Sequence, residues 1–156
     1  MSLQNEVDQL RRIPLFAQID TAKLKLMAFT SERLTFGQGQ TLFKEGDPGD
    51  GAYLILSGSV DVQLNAGGAA ITIAHLEQNA FVGEMAILCD VPRTASVVAA
   101  EPVDALKVKK DTFFQLLKDV PQMAVEIMRE LAQRLHHTNE ELRDAKAQLK
   151  AMGSRP

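Results

Sequence analysis

The chain has 156 residues, of which 46% are hydrophobic and 24% charged, with one cysteine and a formal net charge of -3. A chain of that length makes one domain, able to bury about 68–70% of its unfolded surface without disulfide or metal staples, and its composition is that of a globule rather than a fibre or a disordered tail. The net negative charge argues against a basic, phosphate-binding face, the lone Cys89 excludes a disulfide framework, a four-cysteine zinc site and a single-chain all-cysteine iron–sulfur cluster, and no apolar run approaches the ~20 residues of a membrane-spanning helix.

Residues 1–30 are expected to form short helices. Leu3, Val7, Leu10 and Arg11 give a weak stripe that Pro14 ends, and Asp20-Thr21 caps a second segment through Phe29 with Leu24 and Met27 at helical spacing. Over 31–110 the period falls to two, with apolar residues alternating at Leu34/Phe36, Leu42, Val60/Val62/Leu64, Ile71/Ile73 and Val103/Leu106/Val108. Gly37, Gly39, Gly46, Gly49, Gly51, Gly58 and the run Asn65-Ala66-Gly67-Gly68 mark reversals, because a tight hairpin needs the positive φ that glycine adopts without strain. The pattern predicts an α+β fold: an antiparallel eight-stranded β-roll, jelly-roll-like, with short N-terminal helices and a long C-terminal helix.

Residues 111–150 hold the C-terminal helices. Asp111 is placed to cap Thr112 to Lys118, and a second helix opens near Pro121, where the missing N–H is harmless, and runs to about Lys150; 151–156 form a tail expected to fray. Along the last helix Met128, Leu131, Leu135, Thr138, Leu142, Ala145, Leu149 and Met152 step by three and four, a heptad seam bordered by Glu130, Arg134, Glu141 and Lys146. Two readings stand: a homodimeric coiled coil, or a helix laid across the roll in its first half and solvated beyond.

The chemistry concentrates in 81–97. Gly83-Glu84-Met85-Ala86-Ile87-Leu88 has helical composition between two strand signals, and a one-turn helix there leaves its first N–H groups free to meet an anion. Arg93 follows with a guanidinium fork suited to two phosphate oxygens, Thr94 and Ser96 add hydroxyls, and Glu84 at the helix start accepts from hydroxyls. An anion beside a hydroxyl is a sugar phosphate. The alternative is an internal Arg93–Glu84 ion pair closing the loop.

This stretch resembles the phosphate-binding cassette of the cyclic nucleotide-binding domain family, whose Gly-Glu-x-Ala-aliphatic and Arg-Ser/Thr-Ala-x-aliphatic motifs stand here as Gly83-Glu84-Met85-Ala86-Ile87 and Arg93-Thr94-Ala95-Ser96-Val97. The glycine signature of Leu42 to Gly51 with Tyr53 to Gly58 is similar too, and the likeness runs from about Ile13 to His137. The resemblance implies that Glu84 holds the ribose 2′-hydroxyl, that Arg93 pairs with the cyclic phosphate, and that backbone amides near Gly83 and Ala86 complete the cradle. It also implies contact at Met85, Thr94 and Ala95, with both cAMP and cGMP open as ligands through Thr94. Relatives often cover the base with a residue of the last helix; here the candidates are Leu131, Leu135 and His136, with no aromatic among them.

Other motifs lead elsewhere or nowhere. Asp47-Pro48-Gly49-Asp50-Gly51 mimics half a calcium loop without its bidentate Glu and is read as a turn. His75, His136 and His137 are too few and too scattered for a metal site, which disfavours a cupin-type enzyme, and Cys89 is read as a small apolar filler rather than a redox switch. The expectation is a non-enzymatic cytoplasmic sensor without metal, catalytic cofactor or membrane segment; the alternative is a β-roll interaction protein that has lost ligand binding. A catabolite activator would need a helix-turn-helix of ~60–80 residues after His137, where nineteen remain, so DNA is not an expected partner and the output is assigned to an effector protein or a linked effector domain.

Overall fold

The computed structural model describes residues 3–153, and in it the period-two region becomes two four-stranded antiparallel sheets. The strands are β1 (Glu32–Phe36), β2 (Thr41–Phe43), β3 (Gly51–Ser57), β4 (Val60–Ala66), β5 (Ala69–Leu76), β6 (Phe81–Val82), β7 (Ser96–Ala99) and β8 (Val103–Lys109). One sheet has the order β1-β8-β3-β6 and the other β2-β7-β4-β5. Helices α1 (Leu3–Arg11), α2 (Thr21–Thr30), α3 (Glu84–Cys89), α4 (Lys110–Asp119) and α5 (Pro121–Gly153), with a 3₁₀ turn at Pro14–Phe16, complete the fold.

Strands β3 and β8 are buried on both faces, which is why Ala52–Leu56 reads as an unbroken apolar run. Tyr53, Ile55, Val103 and Ala105 point between the sheets, where they meet Leu42, Val60, Val82, Val97 and Ala99. The opposite faces of the same two strands, with Leu54, Leu56, Leu106 and Val108, meet the helices through Leu10, Phe16, Leu24, Phe113 and Met123. Each large side chain taken out of water there contributes about 1.5–3 kcal/mol. Phe81 joins the layers, its ring 6.1 Å from Phe16 and 5.6 Å from Phe113. That anchors β6, the strand leading into α3.

Several local expectations are corrected. Asp20 stands at the N-cap of α2, yet its carboxylate makes no cap bond; its carbonyl accepts from the Lys23 and Leu24 amides at 3.0 Å. Helix α4 opens at Lys110 with Lys109 at the cap position, so Asp111 lies inside the first turn, where a carboxylate favours the helix dipole without capping. Helix α5 continues through Gly153, so only 154–156 of the expected tail fall outside the described residues. Ile71 and Ile73 mark a strand but face solvent, 51% and 47% exposed, because β5 is the outer strand of its sheet.

The glycines divide into two kinds. Gly39, Gly46, Gly58, Gly67 and Gly68 take positive φ, as reversals require. Gly49 and Gly51 do not: a Cβ on Gly49 would lie 2.5 Å from that of Ala86, and one on Gly51 would lie 2.8 Å from the Val108 carbonyl. They are small because α3 and β8 pass close to the backbone.

Candidate functional site

The cassette is assembled by backbone conformations that few residues accept. Gly83 sits at φ +87° before α3, and a Cβ there would lie 2.5 Å from Nη1 of Arg93. Asp90, at φ +52°, ends the helix, and the Val91 amide donates back to the Ala86 carbonyl at 3.2 Å. The loop is then stitched to the β2–β3 connection: the Arg93 amide donates to the Asp47 carbonyl and the Gly46 amide to the Arg93 carbonyl, both at 2.8 Å. Both anchor Arg93 before its side chain is considered.

That side chain is 3% exposed. Nη1 donates to the Gly83 carbonyl at 2.9 Å and Nη2 to the Gly51 carbonyl at 2.7 Å, Asp50 lies 3.6 Å away, and the guanidinium rests 4.1 Å above the centre of the Phe43 ring. Burial pulls its pKa down, opposed by Tyr53, Asp50, Asp47 and Glu84. Nε is buried and has no hydrogen-bond partner among the described residues, so a donor of this cation remains unsatisfied inside the site.

Glu84 is 5% exposed and takes one charge-assisted bond, from Nη1 of Arg134 at 2.9 Å. Burial raises its pKa, and Arg134 and its own backbone amide work against that rise. Arg134 also donates to the Phe81 carbonyl at 3.1 Å and to Glu130 at 2.7 Å. Arg93 and Glu84 therefore do not close the loop on each other: each is paired elsewhere, Arg93 toward the β3 backbone and Glu84 toward α5.

All seven cassette residues, Gly83, Glu84, Met85, Ala86, Arg93, Thr94 and Ala95, line one cavity of about 90 Å³, walled also by Phe43, Val62, Leu76 and Arg134. The base-covering candidates do not reach it. Leu131 packs half-buried on the helix-side core, whereas Leu135 is exposed and His136 is exposed beside Glu140 at 2.9 Å. The residue that α5 brings to the cavity is Arg134, which sequence reasoning placed on the charged border of the seam. Its signal was there: Ile127, Leu131 and Arg134 share the face that packs on the roll, and a buried Glu84 needs a donor.

Other residues settle into plain roles. The Ser96 hydroxyl accepts from the Glu45 amide at 2.9 Å and does not line the cavity. Cys89 is exposed at the end of α3, not an interior filler. Asp47 accepts from the Lys44 amide, Asp50 from Lys107 and His75 faces Asp61, and the described residues contain no metal-ligating cluster. No described helix is long and apolar enough to cross a membrane.

The sequence profile of the cyclic nucleotide-binding domain matches residues 33–120. The cAMP-dependent protein kinase regulatory subunit of Colletotrichum orbiculare is 36% identical over 113 residues, covering 72% of this chain and 28% of that protein. Acetyltransferase Pat of Mycolicibacterium smegmatis is 34% identical over 126 residues, covering 81% and 38%. Among solved structures, the Thermus thermophilus catabolite activator protein superposes with a TM-score of 0.72 at 32% identity, covering 83% of this chain and 61% of that one. The chain thus spans less than two thirds of each of these relatives.

Proposed function

The chain belongs to the cyclic nucleotide-binding domain family, and on that premise we propose that it is a regulatory module that binds cAMP, with cGMP the alternative ligand, in the cavity of the cassette. One observation carries the reading: a buried cation with an unsatisfied donor, Arg93, and a buried acceptor-only carboxylate, Glu84, line the same cavity. In the proposed complex Arg93 pairs with the cyclic phosphate, and Glu84 accepts from the ribose 2′-hydroxyl. The Gly83 and Ala86 amides complete the anion cradle, with Met85, Thr94 and Ala95 in contact. The exposed Thr94 hydroxyl keeps cGMP in play, since it is free to turn toward either ligand.

The module acts through α5. Nucleotide shifts the packing of that helix in proportion to its differential affinity for the two arrangements, typically about 1–3 kcal/mol of coupling. Without a catalytic role of its own, it passes the signal to an effector protein or a linked effector domain in the cytoplasm. The variety of its relatives, a kinase regulatory subunit and an acetyltransferase among them, supports an output that lies outside the module.

We assign the seam of α5 to a parallel homodimer. Leu135, Leu142, Leu149 and Met152 are exposed along it, and in that register Glu141 of one helix faces Lys146 of the other. Calorimetric titration with cAMP and cGMP tests the binding assignment: saturable heat with either supports it, and no heat with both leaves the interaction-protein reading.

A further inference from the structure

The second sheet ends in an open edge. Strand β5 pairs with β4 and closes the order β2-β7-β4-β5, so the outer edge of Ala69–Leu76 has no strand against it among the described residues. We propose that this edge pairs antiparallel with the β5 edge of a second copy of the chain, about a two-fold axis at Thr72. The inference is independent of the nucleotide reading and uses none of the residues of the α5 seam.

Natural proteins guard a sheet edge with charge, proline, a bulge, a short strand or a covering element, because its unpaired N–H and C=O groups template another strand. No charged residue and no proline stands between Asp61 and His75, in a chain with 24% charged residues. Strand β5 is eight residues long, every residue from Ala69 to Ile73 is exposed, and Ile71 and Ile73 keep 51% and 47% of their surface in water. Of the guards it carries only a bulge: the ladder breaks between Val62 and Gln63, which leaves Ile73 with no residue opposite it on β4.

The order of residues in the strand points to its occupant. Ala70-Ile71-Thr72-Ile73-Ala74 reads the same in both directions. Antiparallel pairing about Thr72 therefore sets Ile71 against Ile73 of the second copy, Ala70 against Ala74, and Thr72 against the same threonine. Facing pairs of β-branched side chains suit a sheet, and a two-fold contact requires one patch to complement itself. Charge agrees. Two copies that each carry a net charge of -3 repel, and this edge sets no charge against its like, since His75 meets Ala69. One paired strand is a small contact beside the about 1,200–2,000 Å² of a stable complex, so the pair forms at high concentration and has to be trapped.

The test traps it in the full chain. In a Cys89→Ser background, which removes the one native thiol, Thr72→Cys and Ala69→Cys are introduced singly and oxidised mildly at equal concentration. Both positions are exposed, so neither change removes a core contact. A thiol at 72 meets itself across the two-fold axis, whereas one at 69 meets position 75. The expected result is a disulfide-linked dimer forming about tenfold faster from Thr72→Cys than from Ala69→Cys, through the raised local concentration of a facing pair, with the difference lost when Ile73→Lys is added. Equal rates at the two positions, or a rate at 72 that Ile73→Lys leaves unchanged, would overturn the pairing and leave the edge to a strand of another protein.

Discussion

Arg93 and Glu84 are both buried charges, but they are stabilised by different means. Arg93 gives its Nη atoms to the carbonyls of Gly83 and Gly51. Arg93→Ala is expected to weaken cAMP binding by roughly 1.5–3 kcal/mol, the usual effect of a lost charge-assisted bond, as read by calorimetry. Gly83→Ala meets both a positive φ and the Nη1 atom of Arg93, so its melting temperature should fall by the equivalent of about 1–3 kcal/mol. Glu84 has a folded pKa raised by burial above its ordinary value of 4.5, so the folded chain binds more protons than the unfolded chain in the window above 4.5. The corresponding stability is present below that window and lost as pH rises through the folded value. Glu84→Gln should flatten this part of a denaturant-derived stability profile; an unchanged slope would assign it to other groups.

At the scale of elements, the same residue type takes opposite roles in neighbouring strands. Ile55 of β3 is fully buried between the sheets, and Ile71 and Ile73 of β5 are half-exposed at the sheet edge. Ile55→Ala should destabilise by about 2–5 kcal/mol through lost contacts and a cavity. Ile71→Thr and Ile73→Thr should stay within about 0.5 kcal/mol, both read by urea unfolding. Alternation in the sequence located each strand, but no residue of the outer strand β5 is buried, and Ile71 stays half-exposed although it pairs with Leu64 on the Val60 and Val62 face of β4. Conversely, Ala52–Leu56 shows no alternation, and only the helices stacked on its second face explain why. Of the two cap residues expected, Asp20 stands where a cap belongs but bonds through its backbone, and Asp111 lies inside the first turn of α4.

At the scale of the molecule, α5 divides near Arg134. Up to Leu131 it packs on the helix-side core through Met123 and Ile127, and every described residue beyond Arg134 is exposed. That geometry accommodates both readings of the seam, a first half on the roll and a second half open to a partner. Light scattering should give a dimer for the full chain and a monomer for a chain ended after His137, with the melting of the β-roll unchanged because no buried residue is removed. A full chain that is monomeric at high concentration would rule out the seam as an interface.

By itself the sequence determined the β-roll between helices and the cassette. Period, turn glycines and the spacing from Gly83 to Arg93 are local properties, written in consecutive residues. Which charges meet is not local. Arg134 lies 50 residues from Glu84 along the chain and reaches it because Ile127 and Leu131 seat α5 on the roll. Arg93 turns to Gly51 rather than Glu84 because β3 presents a buried carbonyl that needs a donor. The tertiary structure decided those pairings, since burial makes each buried polar group take whatever partner the packing brings within reach.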